Sequence, residues 1–335
     1  MRQPCAVHIR TSKVHLAVVK YFYMELTERP GKNGQGKTRK VGLILSGGGA
    51  RGFAHIGTLR VLERANIHVD VVAGTSIGAI LGALYASGYS ADEICDLSKS
   101  VSWRHLLDFS MQAGLLKGEK LHDLLALHLP ADFGELEKPL AVATTDVETG
   151  DEVFILEGDL VRAVRASSCY PGAFEPVNFN GRMLADGGIV NNLPVNAVAF
   201  LGANYAIASD ATAPRRAAFS DPLGDENWWG RMMATIKLER RSLMAQMVLR
   251  STDIMQSILT DIQYNMHPAD VRVQHAMPHV RVESFWAFDE IVALGEWEAM
   301  RVFGGAGLLS KEVLEAYTPP EGIPEHLVAH VKGLR

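Results

Sequence analysis

Two strand-to-helix junctions rich in glycine leave this chain few folds to adopt. Val41-Gly-Leu-Ile-Leu-Ser46 is a short apolar run that ends in Gly47-Gly-Gly-Ala-Arg-Gly52. A helical pattern follows from Ala54, with Ile56, Leu59 and Leu62 three apart and Asn66 at its end. Val69 to Ala73 is a second apolar run, and it leads into Gly74-Thr-Ser-Ile-Gly78. Ile77 to Ser87 is an almost wholly apolar helix, with Gly88 placed to cap it. Two consecutive strand–turn–helix units predict a parallel sheet covered by helices on both faces, a three-layer α/β/α domain.

Later segments continue the pattern. Leu140 to Thr144 and Asp151 to Leu156 read as strands joined by the turn Glu148-Thr-Gly150. Leu160 to Ser168 reads as a helix, Met183 to Ala185 as a short strand running into Asp186-Gly-Gly188, and Tyr205 to Ser209 as a further strand. Residues 213–230 read as a loop containing Trp228 and Trp229, and Met232 to about Ile262 as one long helix or two. With 335 residues, 47 % of them hydrophobic, one large core is feasible. A net charge of −5 points away from nucleic acid. No apolar run is long enough to span a membrane. Cys5, Cys95 and Cys169 make neither a disulfide framework nor a zinc spacing, and read as reduced thiols of a cytosolic protein.

Residues 1–39 read as a basic N-terminal extension ending in a flexible linker. The first 40 residues hold nine Lys/Arg and two acids, so residues 41–335 carry the excess of acid. A targeting segment, a membrane-surface anchor and a start codon placed too early are the other readings. The domain itself is expected over residues 40–335.

Gly47, Gly49 and Gly52 satisfy the G-x-G-x-x-G dinucleotide fingerprint. That fingerprint also needs an acid ending the next strand, where Gly74-Thr75 stand instead. The other reading is an oxyanion hole, because consecutive glycines at a helix N-terminus can turn several N–H groups toward one point; a plain turn is the third. Gly74-Thr-Ser-Ile-Gly78 fits G-x-S-x-G between strand and helix, the context of a nucleophile elbow, although Ser76 would also serve as a helix cap. A serine hydroxyl needs a base. No histidine after Ser76 sits in a marked turn, while Asp146, Asp186 and Asp210 all lie at apparent strand ends. Asp186 ranks first because Gly187 and Gly188 leave its carboxylate uncrowded. Arg51 reads as orienting the glycine loop, meeting an anionic head group or simply solvated, and His55 as a residue of the helix face. Cys169 reads as an inert buried thiol.

Four blocks taken in order resemble the patatin-like phospholipase family: Gly47 to Gly52, Gly74 to Gly78, Ala166-Ser-Ser-Cys-Tyr-Pro171 with Pro176, and Asp186-Gly-Gly188. Within it the chain resembles the short bacterial members, similar to the catalytic domain of neuropathy target esterase, over roughly residues 40–210 and more loosely to about residue 310. The resemblance implies a Ser76–Asp186 dyad without histidine. It also implies an oxyanion hole from Gly47, Gly48 and Gly49, supported by Arg51, Gly52, Gly74, Gly78, Gly187 and Gly188. It implies hydrolysis of a lipid acyl ester, with lysophospholipid or phospholipid foremost, transient contact with a membrane surface, and no metal or organic cofactor. Acyl transfer, or lipid binding on a catalytically weak version of the fold, are the alternatives.

Overall fold

The computed structural model describes residues 16–19, 39–103, 118–171, 174–214 and 238–319. Among these, nine strands form one mixed, mostly parallel sheet. Its main path runs β1 (Leu16–Val19), β5 (Glu152–Ile155), β4 (Leu140–Asp146), β3 (Val71–Thr75), β2 (Val41–Leu45), β8 (Tyr205–Asp210) and β9 (Val271–Gln274). The five from β4 to β9 are parallel to one another; β1 and β5 pair antiparallel. A hairpin of β6 (Val177–Phe179) and β7 (Arg182–Asp186) joins antiparallel to the C-terminal end of β4.

Strands β2, β3 and β4 are buried at every position, as expected where helices cover both faces. Successive side chains serve opposite layers. Leu43 and Leu45 join the larger core, packed against helices α1 (Ala54–Arg64) and α2 (Ile77–Ala86). Ile44 faces the other layer, where Leu193, Val195 and Val198 from a short helix and its approach cover Val71, Ala73 and Ala141. Phe53 anchors the larger core, its ring 4.6 Å from Phe288, 5.4 Å from Trp103 and 5.9 Å from Phe285. Burying one such ring stabilises by about 1.5–3 kcal/mol.

The strands and helices read between Val41 and Asp210 are found with boundaries shifted by one or two residues. Two differ in kind. Residues Gly49–Phe53 form a 3₁₀ turn that joins directly onto α1, and β7 extends through Asp186 itself. Helices at Ala91–Ser100, Glu119–His128, Phe288–Gly305 and Lys311–Ala316 were not read from the sequence. Leu16–Val19 lies inside the extension expected to carry no strand, yet it pairs with β5 from Leu16↔Ile155 to Val19↔Glu152. Leu-Ala-Val-Val suits a strand, and β5 is an edge with N–H and C=O groups to offer. The rest of the extension, with the loop around Trp228 and Trp229 and the start of the long helical stretch, lies outside the described residues. Within them that stretch is a helix from Leu238 to Met266. No described helix is long and apolar enough to cross a membrane.

Candidate active site

The site lies where the C-terminal ends of β2, β3 and β7 meet. Ser76 occupies the turn between β3 and α2 with φ 54° and ψ −123°. A non-glycine residue with positive φ costs of order 1–3 kcal/mol and persists only where its surroundings enforce it. Here they do. A Cβ on Gly74 would come 2.4 Å from the Gly78 carbonyl oxygen, and one on Gly78 would come 2.2 Å from that of Leu45. The turn is thus too tight for side chains on either flank. Ser76 is partly exposed while Thr75 and Ile77 are buried, so the elbow presents the hydroxyl and little else. The Ser76 N–H donates to Ser167 Oγ at 2.9 Å, and Ser167 donates onward to the Ala143 carbonyl at 2.6 Å. The Ala166–Pro171 block therefore holds the elbow in place.

Asp186 is 2 % exposed, and the Ser76 side chain lies close enough to favour its ionised form. Its Oδ1 accepts the Gly188 N–H at 2.7 Å, its own N–H donates to Cys169, and its carbonyl accepts Thr145 Oγ1 at 3.0 Å. Burial pushes the carboxyl up to about 6, against the opposing pull of the Gly188 N–H and the Ser76 side chain. The two rival carboxylates have other partners. Asp146 pairs with Arg182 at 3.0 Å and caps the turn through Glu148. Asp210 is bound by Arg272 and accepts the Thr212 N–H at 2.9 Å. The structure brings only one of the three candidate acids to Ser76.

The glycine loop passes beside the elbow: a Cβ on Gly47 would stand 3.4 Å from that of Ser76. Three N–H donors were expected there, and Gly47 is a correction. Its N–H donates to the Asn192 carbonyl at 3.1 Å and is spent. Gly48 and Gly49 are partly exposed, and their N–H groups have no partner among the described residues. Gly52 packs against Ile77, where a Cβ would meet Cγ2 at 2.2 Å. Gly187 approaches the Ala143 carbonyl and Gly188 the Gln256 and Asn192 side chains equally closely.

Arg51 is not solvated. It is 3 % exposed, donates to the Ala211 and Val280 carbonyls at 3.3 Å, and pairs with Asp253 of the Leu238–Met266 helix at 3.2 Å. Its part is to tie down the loop. His55, on the face of α1, is wholly buried under the loop. Its Nε2 donates to the Ser46 carbonyl at 2.9 Å, since a carbonyl only accepts, so Nδ1 accepts from Ser209 Oγ at 2.8 Å. Burial lowers His55 to about 4, so it is neutral at physiological pH. His275 contacts the same Ser209 hydroxyl at 2.9 Å and is fully buried, while His279 meets Glu290 on the surface. Neither touches Ser76. Cys169 donates to the Arg165 carbonyl, and burial pushes its thiol up to about 12, which keeps it unreactive. Sequence reading placed Ser167 inside a recognised block without giving it a role, and missed Asn192, whose only signal was proximity in sequence to Asp186-Gly-Gly188.

Residues 43–199 match the family model described as patatin-like phospholipase. An uncharacterised NTE family protein of Mycobacterium tuberculosis is 36 % identical over 203 residues, which are 58 % of this chain and 56 % of that protein. The neuropathy target esterase sws of Drosophila melanogaster is 34 % identical over 204 residues, covering 56 % of this chain and 14 % of that one. Lysophospholipase NTE1 of Pyricularia oryzae is 30 % identical over 274 residues, covering 77 % of this chain and 18 % of that one. The chain thus spans just over half of the mycobacterial relative's length and far less of the other two.

Proposed function

We propose that the chain, whose residues 43–199 match the patatin-like phospholipase family model, is a serine hydrolase of lipid carboxylic esters that works through Ser76 and Asp186. The observation that carries this reading is the buried carboxyl of Asp186 beside the side chain of a strained Ser76, pushed up by burial to about 6. A base is most effective when its pKa lies close to the working pH, and an ordinary aspartate is too weak. Ser76 Oγ attacks the ester carbonyl as its proton passes to Asp186. The oxyanion is received by the Gly48 and Gly49 N–H groups, a contribution of about 2.7–4 kcal/mol per well-placed donor. The tetrahedral intermediate collapses, Asp186 returns the proton to the departing alcohol, and water activated by the same carboxylate releases the acid from Ser76.

Lysophospholipid and phospholipid are the substrates favoured, in keeping with the names of the phospholipase family and of the NTE1 relative. The test is a panel of p-nitrophenyl esters of increasing chain length beside phospholipid and lysophospholipid vesicles, with a fluorophosphonate probe to report on Ser76. Ester turnover that rises with chain length, free fatty acid from at least one lipid, and labelling at Ser76 are expected. A folded protein that binds lipid but releases no acid and takes no label would refute the proposal.

A further inference from the structure

We infer that Asn192 is a positioning residue of this site: it clamps the Gly47–Gly48 peptide so that the Gly48 N–H faces the reacting carbonyl. The inference rests on the hydrolase reading above. Both backbone groups of Gly47 engage Asn192. The Gly47 N–H donates to the Asn192 carbonyl at 3.1 Å, and the Gly47 carbonyl accepts from Asn192 Nδ2 at 3.3 Å. Ser46 Oγ donates to the same Gly47 carbonyl at 2.9 Å, while accepting the Ala211 N–H at 2.8 Å. The other Nδ2 hydrogen of Asn192 goes to Thr212 Oγ1 at 2.9 Å. Asn192 is 3 % exposed, so its amide has no water to fall back on.

In a trans peptide the C=O and the following N–H point in opposite directions, and the described chain holds no cis bond. Two donors that pin the Gly47 carbonyl inward therefore turn the Gly48 N–H outward, on the side where Gly48 is partly exposed and unpaired. A clamp is needed because three glycines in a row have no side chains to stop this peptide rotating. Asn192 also follows Asp186 in one short segment. The loop that delivers the base thereby sets the register of the oxyanion donors, and base and hole are positioned as one unit.

The experiment compares the full chain with its Asn192→Ala, Asn192→Asp and Ser46→Ala variants. It uses a short p-nitrophenyl ester as substrate and an aliphatic trifluoromethyl ketone, whose tetrahedral adduct carries the oxyanion, as inhibitor. Both Asn192 variants are expected to lose roughly 10²-fold in kcat, the scale of one lost oxyanion donor, with KM within about threefold. Ketone affinity should weaken in parallel with kcat/KM. Asn192→Asp is nearly isosteric but cannot donate, so it should not rescue. Ser46→Ala should lose kcat selectively, roughly tenfold, and it keeps the test alive should the Asn192 variants not fold. Folded variants whose kcat stays within threefold, or whose kcat falls while ketone affinity is unchanged, overturn the clamp. Fluorophosphonate labelling of the parent and its loss in Ser76→Ala are read in parallel. A parent that takes no label condemns the hydrolase reading itself, whereas a labelled parent with unaffected variants condemns only the clamp.

Discussion

Asp186 and Asp210 each end a strand of the same sheet, and both are buried, yet their surroundings give them opposite work. Asp210 is gripped by Arg272, whose Nε donates at 3.0 Å, with Thr212 closing the other side. Asp186 receives the Gly188 N–H, has the Ser76 side chain beside it, and meets no cation among the described residues. A buried carboxylate with its arginine is a strut, and removing either partner strands a charge. A buried carboxylate without one is pushed toward neutrality and becomes a usable base. Burial alone does not distinguish the two carboxylates; the missing counter-ion does.

The largest effect should come from the residue that Asp186 serves. Ser76→Ala is expected to lower ester turnover by at least roughly 10⁴-fold, the scale seen when a nucleophile is removed. It should also abolish fluorophosphonate labelling while leaving the melting profile intact. Labelling that survives would remove Ser76 from the comparison altogether.

Next come the two carboxylates. Asp186→Asn should lose about 10²–10⁴-fold in kcat, the usual worth of a general base. Asp210→Asn should keep kcat within about threefold but lose up to about 3–5 kcal/mol of stability, since Arg272 then keeps only its longer pair with Asp261. Chemical denaturation beside steady-state kinetics separates the two. A folded, inactive Asp210→Asn beside an active Asp186→Asn would exchange their roles.

The pH dependence sharpens the contrast. The proposed base Asp186 acts ionised, so turnover is expected to fall about tenfold per unit as pH drops below about 6. Stability should run the other way. The folded carboxyl is raised from 3.8 to about 6, so the folded state holds its proton more tightly. The resulting stabilisation is full below pH 3.8 and is lost as pH rises through 6, which amounts to roughly 3 kcal/mol at about 1.4 kcal/mol per unit. Asp186→Asn should accordingly melt at or above the parent at pH 8, with that advantage gone near pH 4. A parent whose activity holds level down to pH 4 would contradict the raised carboxyl.

Histidine replacement should matter less. His279→Ala removes only a surface pair with Glu290, so kcat should stay within about twofold and stability within about 1 kcal/mol. A folded His279→Ala slowed a hundredfold would convert the dyad into a triad. The smallest effect is expected from deleting residues 1–39. That removes β1 from the edge of β5 and Arg39 from its place over the Tyr205 ring. Turnover should be unchanged and the melting midpoint lower by about 2–4 °C. Insoluble or inactive protein would show that the extension is part of the domain.

The parts of the site that the sequence made legible are those built from neighbours in the chain. The elbow needs Gly74, Ser76 and Gly78 within five residues, and the glycine loop is contiguous. Helices such as Phe288–Gly305 were not legible. Their apolar faces are meaningful only against partners such as Phe53, far away in the chain.

The sequence by itself determined the two strand–turn–helix units, the nucleophile candidate and the glycine loop, because tight turns are governed by local sterics that residue types reveal. Tertiary structure decided everything that depends on sheet register. It placed Asp186 beside Ser76 and gave Asp146 and Asp210 an arginine each. It spent the Gly47 N–H on Asn192, 145 residues away, and held Ser76 through Ser167, 91 residues away. It also made His55, read only as a residue of the helix face, a neutral donor beneath the loop. Hydrogen bonds across such separations follow from which strands lie side by side, and no pattern of neighbouring residues encodes that.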